Sequence, residues 1–273
     1  MDRMVYVAMS GAREIMHRQA SNNHNLSNVN TTGFKADLDN IISNPVKGPG
    51  HSTRVYATAG GTLTDLSPGS IFTTGRELDI ALDDEGFIAV RTEEGREAYT
   101  RAGELRVSAD GVLETFDGNQ VMGNNGPIAV PPYDKLLIGK DGTISVQPVD
   151  GVQGVMVEVD RIKLVNPDPA RLEKGPDGLM RIKGEQAARD WTITISGAGA
   201  QAERAVEEQP AAAALPADPD VAITSGALEA SNVNSVQSLV TMVSLSRQYE
   251  LLVKMMKTAE EVDASATSLL RLE

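Results

Sequence analysis

Four places in this chain combine residue types and spacings that could do chemistry, and three of them fail on their surroundings. Residues 195–202, ISGAGAQA, fit the G-x-G-x-x-A pattern that cradles a dinucleotide pyrophosphate at a helix start. Asp218 and Asp220 even stand at about the ribose-binding distance downstream. Yet Pro210 cuts the helix that such a site requires, both aspartates lie in a Pro/Ala stretch, and no second strand completes a βαβ unit. Residues 83–86, DDEG, place acids at a Gly turn but lack the alternating ligand positions and closing glutamate of a calcium loop, so they read as a hairpin turn. His17, His24 and His51 have no metal-ligand spacing. There is no cysteine, nucleophile elbow or Walker loop. The expectation is a protein with no catalytic residue, no cofactor and no metal. The fourth place is different: residues 21–35 read SNNHNLSNVNTTGFK, and SNVN returns at 231–234. Amides and hydroxyls in such density cap helices, bond backbone groups and bridge chains.

The elements that carry these clusters are helices. Met1, Val5, Ala8, Ala12, Ile15, Gln19, Asn22, Leu26 and Val29 follow a 3-4 spacing, the narrow seam of a helix that pairs with another. Asp2 suits its N-cap, and Gly33 its end. One helix with so thin a stripe is marginal alone. From Ser235 to Leu270 the chain has neither Gly nor Pro. A second stripe runs there through Val236, Leu239, Val243, Ser246, Tyr249, Val253, Met256, Ala259, Val262, Ala266 and Leu269. The two terminal helices are expected to pair.

Between them lies β-structure. Glu85-Gly86, Glu94-Gly95, Asp110-Gly111, Asp117-Gly118, Asp141-Gly142 and Asp150-Gly151 are turn dipeptides between apolar runs. Strands are predicted over 78–82, 87–90, 105–107, 112–115, 120–122, 143–146 and 155–165. In the last, Val155, Val157 and Val159 share a face while Ile162 and Leu164 continue on the other parity, which predicts a bulge or bend near Asp160-Arg161. Residues 209–220, QPAAAALPADPD, read as a linker with little fixed structure. The fold class is α+β and discontinuous, with terminal helices pairing in a coiled-coil-like assembly domain around a central antiparallel β-domain. Its divisions are 1–43 (helix and Asn-rich junction), 44–75 (extended connector), 76–208 (β-domain), 209–224 (Pro/Ala linker) and 225–273 (C-terminal helix).

Composition narrows the partners. A net charge of −13 over 273 residues argues against nucleic acid, whose affinity comes from basic residues on phosphates, and against an anionic membrane surface. Aromatic content of 4% argues against a deep ligand pocket. No run is long and apolar enough to cross a membrane, and the N-terminus carries no secretory pattern. Any passage out of the cytoplasm would be without a cleaved signal.

NNHNLSNVNTTGFK resembles the N-terminal signature of the bacterial flagellar rod and hook proteins, with Asn22, Asn23, Leu26, Asn28, Val29, Asn30, Thr31, Thr32, Gly33, Phe34 and Lys35 on matching positions. His24-Asn25 departs from the usual wording. The C-terminal LEASNVNSVQSLVTMVSLSRQYELLV is similar to the paired signature, through Glu229, Ser231, Asn232, Val233, Asn234 and Tyr249. The stretch from 73 to 123 resembles the family's shared β-domain, carrying Leu78, Asp79, Gly86, Phe87, Tyr99, Thr100, Arg101, Gly103, Gly111, Leu113 and Gly118. Residues 185–222 match nothing in it. The opening MDRMVYVAMSGA is similar to the proximal-rod branch rather than the distal-rod branch.

The resemblance implies a non-enzymatic structural subunit of the flagellar basal body, polymerising with itself and with other rod proteins into a torque-transmitting shaft that spans the periplasm. It also implies delivery by the flagellar export apparatus. On this reading the assembly interface comprises Val5, Ala8, Ala12, Ile15, Leu26, Val29, Val236, Leu239, Val243, Tyr249, Val253, Met256 and Ala259. The junction motif comprises Asn22, Asn23, Asn28, Asn30, Thr31, Thr32, Gly33, Phe34, Lys35, Ser231, Asn232 and Asn234. Residues 1–35 and 225–273 are expected to be largely disordered alone and to fold on incorporation. A distal-rod or hook-type axial protein is the alternative within the family, and a soluble coiled-coil adaptor the competing reading from another class.

Overall fold

The structure, a computed structural model, describes residues 4–45, 55–83, 85–149, 154–183 and 215–270. Asp2, His51, the 195–202 glycine pattern and the first half of the Pro/Ala stretch lie outside the described residues. The chain forms two compact units. One comprises Met1–Thr31, Lys35–Ser67 and Ser231–Glu273; the other comprises Thr32–Phe34 and Pro68–Ala230.

In the first unit, α1 (Met4–Ser27) packs against α2 (Ser235–Leu270) and against a hairpin of β1 (Asp37–Pro45) and β2 (Val55–Thr64). α1 ends where the Asn/Ser cluster begins to compete for backbone groups: the Ser27 hydroxyl and the Asn28 amide both donate to the His24 carbonyl, at 2.8 and 2.9 Å. α2 starts at a cap built from the second copy of the tetrapeptide, with Asn234 Oδ1 accepting from Gln237 N at 3.1 Å. With no Gly or Pro inside, α2 then runs for 36 residues, or about 54 Å at 1.5 Å per residue.

The β1–β2 ladder is antiparallel and changes register between Asp39 and Ile41. Opposite that slip sits Gly60, where a Cβ would lie 2.8 Å from Ile42 Cγ1. The hairpin occupies much of the stretch expected as an extended connector over 44–75. It was hard to see because neither face is buried: β1 shows no apolar alternation, and Leu38, Ile41, Ile42, Val55 and Leu63 are exposed.

The second unit is built of antiparallel strands, with one short 3-10 turn at Pro169–Arg171. Its strands are β3 (Ile71–Thr73), β4 (Ile80–Leu82), β5 (Phe87–Arg91), β6 (Glu97–Thr100), β7 (Leu105–Val107), β8 (Leu113–Thr115), β9 (Gln120–Val121), β10 (Tyr133–Ile138), β11 (Thr143–Pro148), β12 (Val157–Arg161), β13 (Leu164–Val165), β14 (Leu172–Lys174), β15 (Met180–Ile182), β16 (Ile223–Ser225) and β17 (Ala227–Glu229). The large sheet has the order β14-β15-β6-β5-β9-β8-β7, with β13 also on β5. β10-β11-β12 form a second sheet, and β16 and β17 pair with β4 and β3. Ile88, Val90, Leu105, Leu113 and Val121 meet Leu136, Ile144, Val146 and Ile223 in one buried cluster.

The parity change predicted in 155–165 marks a change of sheet. β12 carries the extra residue Val159 against β11, where Ser145 pairs with Glu158 and Ile144 with Asp160. Five residues after Val159 the same stretch joins β5 as β13, with Ile162 and Leu164 buried. The far end of the expected linker is also structured. Val221 and Ile223 are buried, and Ile223–Ser225 is a strand, because those apolar residues complete the core.

Candidate assembly interface

α1 turns the expected stripe inward. Ala8, Ala12 and Ile15 are buried, and Val5, Asn22, Leu26 and Val29 are half-buried. Two contacts set the direction of α2 against it: a Cβ on Gly11 would stand 3.3 Å from Leu252 Cδ1, and the Asn22 amide donates to the Ser238 carbonyl at 2.9 Å. The helices therefore run antiparallel, and the small residues of α1 let them approach closely.

α2 meets α1 through Ser238, Leu245 and Ala259, which are buried, with Tyr249, Leu252, Val253 and Met256 half-buried. The first half of the expected stripe lies off that side. Val236, Leu239 and Val243 are exposed, together with Val240 and Leu251. The reason is angular: the chosen positions average fewer than 3.5 residues per step, so Val236 and Ala259, 23 residues apart, are rotated by about 140° on a helix of 3.6 residues per turn. A stripe through Ser238, Leu245, Leu252 and Ala259 keeps to the α1 side. Leu239, Val240, Val243, Ser244, Arg247, Gln248 and Leu251 line a shallow apolar groove on the outer side. α1 shows a lesser version of the same arrangement, with Tyr6, Met9 and Met16 exposed.

The Asn-rich motif is divided between the units. In the first, Asn25, absent from the expected set, forms a reciprocal clamp with Asp37: its amide donates to the Asp37 carbonyl and its Oδ1 accepts from Asp37 N, both at 2.8 Å. His24 Nδ1 lies 2.8 Å from Asp37 Oδ2. Asn232 Oδ1 accepts from Ala36 N at 2.8 Å, and its amide donates to the Asp65 carbonyl at 2.9 Å. Lys35 is buried, with Nζ donating to the Ser67 carbonyl at 2.7 Å. Asn28 Oδ1 accepts from the Thr31 hydroxyl, and Ser231 Oγ from Val233 N. Asn23 and Asn30 are exposed.

Asp39, on β1, has its carboxyl raised above the usual range. Burial is the main cause and the Glu14 and Asp37 charges add to it, against Ser21 and Arg18, which lower it.

Thr32, Gly33 and Phe34 belong to the second unit. Gly33 has φ 68°, and a Cβ there would sit 2.3 Å from the Arg101 carbonyl carbon. Its N–H donates to the Glu229 carbonyl at 2.8 Å. The Glu229 side chain is the centre of a buried polar knot that spacing alone did not reveal. Its Oε2 accepts from Arg101 Nη1 at 2.9 Å and its Oε1 from Gly69 N at 2.7 Å. Arg101 Nε donates to the Gly86 carbonyl at 3.0 Å, and the guanidinium lies 5.3 Å from the Phe87 ring centre. Phe34 is stacked by Lys174, whose Nζ is 3.9 Å from its ring centre.

Among the described residues, no group of three His, Cys, Asp or Glu is placed to hold a metal ion, and no helix is long and apolar enough to cross a membrane. What this arrangement offers is surface: an apolar helix face over a hydrogen-bonded root.

Two family descriptions match the chain. "Flagellar basal body rod FlgEFG protein C-terminal" covers residues 224–269, and "Flagellar hook protein FlgE/F/G D1 domain" covers residues 81–146. The chain is 35% identical over 272 residues to the flagellar basal-body rod protein FlgF of Salmonella typhimurium, and equally to that of Escherichia coli K12, spanning 100% of both chains in each case. It is 28% identical to the flagellar basal-body rod protein FlgG of Bacillus subtilis, over 95% of this chain and 96% of that one.

Proposed function

Because this chain belongs to the flagellar basal-body rod protein family, we propose that it polymerises through the outer faces of its two terminal helices. It is a structural subunit of the basal-body rod. The observation that carries the mode of assembly is the exposed apolar face of α2: Val236, Leu239, Val240, Val243 and Leu251 lie off the side that α1 covers. A helix that is apolar on two sides needs two partners, and one chain supplies one. Neighbouring subunits, copies of this chain and other rod proteins, supply the second.

The identity figures support a place in the proximal rather than the distal rod, since the FlgF of Salmonella typhimurium and that of Escherichia coli, at 35%, exceed the FlgG of Bacillus subtilis, at 28%. Packing of long helices between subunits gives the shaft its stiffness, because many small contacts sum along their length. The subunit performs no reaction. It reaches the periplasmic rod through the flagellar export apparatus, and its terminal segments complete their folding on incorporation, when the outer faces are covered.

The test separates the two sides of α2. Val243→Asp places a charge on the outer face only. The purified variant keeps the wild-type melting temperature, is missing from isolated basal bodies and leaves cells non-motile. Met256→Asp, on the α1 side, lowers helix content as well. Basal bodies containing Val243→Asp at wild-type amounts would overturn the proposal.

A further inference from the structure

The central unit is finished by residues that arrive last. After the short contribution of Thr32–Phe34, its chain enters at Pro68, and its core is assembled from strands up to β15, yet β16, β17 and the turn between them are drawn from the far end of the unit. Five residues of this returning strap are essentially buried: Val221, Ile223, Ala227, Leu228 and Glu229.

Ile223 is fully buried in the same cluster as Ile88 and Leu136, and its N–H donates to the Lys140 carbonyl at 2.9 Å. Val221 fits so closely against Gly86 that a Cβ there would lie 2.4 Å from Val221 Cγ1. Gly226 N donates to the Asp79 carbonyl at 2.7 Å, and Thr74 N to that of Gly226 at 2.9 Å. Glu229 brings the carboxylate that meets the buried Arg101.

We infer that residues 218–230 act as a closing strap, so that the central β-unit folds and unfolds in one step with it and has no stable form while the strap is undone. The physical ground is that lifting the strap does three costly things together. It opens a cavity at Ile223 and Val221, strips two strands of their partners, and takes the carboxylate from a buried guanidinium. No opening that removes all three leaves the remaining sheet near its native stability.

Two consequences follow from chain order. A chain emerging N-terminus first holds an incomplete β-unit until residue 230 is out, whatever the rate of synthesis. And because the strap leads within five residues into α2, tension on that helix acts on the core and not on a slack linker. The inference does not depend on what the terminal helices assemble with.

Native-state hydrogen exchange on the full chain tests it, under conditions where exchange reports the opening equilibrium. The probes are the strap amide Ile223 and the distant amides Leu113 and Ile128, which donate to Ile128 and Val121. Ile223→Val removes one methylene without preventing folding, and Glu229→Gln keeps the shape but discharges the pair. For Ile223→Val the strap and the distant amides lose protection by the same factor, about fivefold. Glu229→Gln likewise shifts all three amides together. Wild-type protection at Leu113 and Ile128, with or without a loss at Ile223, would overturn the inference.

Discussion

Glu229→Ala isolates an ion pair of the central unit whose two side chains are both buried. Glu229 is 2% exposed and Arg101 4%, and the pair closes at 2.9 Å. Truncation leaves Arg101 buried beside the Gly86 carbonyl and Phe87, without the Glu229 carboxylate, and deprives Gly69 N of its acceptor. Breaking a buried pair from one side costs about 3–5 kcal/mol, and the orphaned amide adds about 1–3 kcal/mol. At roughly 2–4 °C per kcal/mol for a domain of this size, the melting temperature falls by about 10 °C or more.

Replacing both partners by apolar residues, Arg101→Met with Glu229→Leu, behaves differently. The buried Arg101–Glu229 charges are both removed and, among the described residues, the Gly69 and Gly86 backbone groups lose their bonds, so the double variant recovers most of the loss. Urea unfolding of the wild type, both single variants and the double variant, followed by far-ultraviolet circular dichroism, measures the cycle. A Glu229→Ala loss below about 1 kcal/mol, as for an exposed pair, would refute the argument. So would a double variant as unstable as the worse single one.

Two further outcomes are expected. Gly33→Ala destabilises the central unit, because φ is 68° and the added carbon would meet the Arg101–Ala102 backbone at 2.3–2.4 Å, with no flexible side chain to yield; thermal melting shows a drop of several degrees, and an unchanged midpoint contradicts the fit. Asp177 is held below the usual carboxylate range, chiefly by its hydrogen bond from Arg181. Its stabilising contribution is therefore complete above the unfolded value of 3.8 and is lost as pH falls through the lower folded value. Asp177→Asn lowers stability at pH 7 and flattens that acid limb, as unfolding curves at pH 7 and pH 3 can establish.

What the chain discloses about itself depends on whether the deciding interaction is local. α2 was legible to the residue, from Ser235 to Leu270, because a cap at Asn234 and an absence of Gly and Pro act within a few positions. The β5, β7, β8 and β11 strands were legible because Asp-Gly turns stand between them; Gly111 and Gly118 take φ values of 77° and 87° that only glycine adopts readily. The change of sheet at Val159 was visible as a parity slip.

The β1–β2 hairpin was not visible, since alternation needs one wet and one dry face and it has no dry one. β16 and β17 were hidden by prolines and alanines just upstream, although Val221 and Ile223 belong to the core. The Arg101–Glu229 pair joins positions 128 apart, and no spacing rule reaches that far. Of the candidate surface, α1's inward stripe was readable directly. On α2 the expected stripe, its step slightly too short, walks around the helix from the outer face to the inner one.

In the central unit, Ala230 N donates to the Ser70 carbonyl at 2.8 Å, so the point where the chain enters and the point where it leaves are hydrogen-bonded neighbours. Such a module imposes no spacing on the segments that flank it. Its length can grow, shrink or be exchanged for a different module while the flanking segments leave from the same doorway. Length variation within the module is thereby uncoupled from the ends, as long as the Arg101 and Glu229 backbones that receive Gly33 are kept.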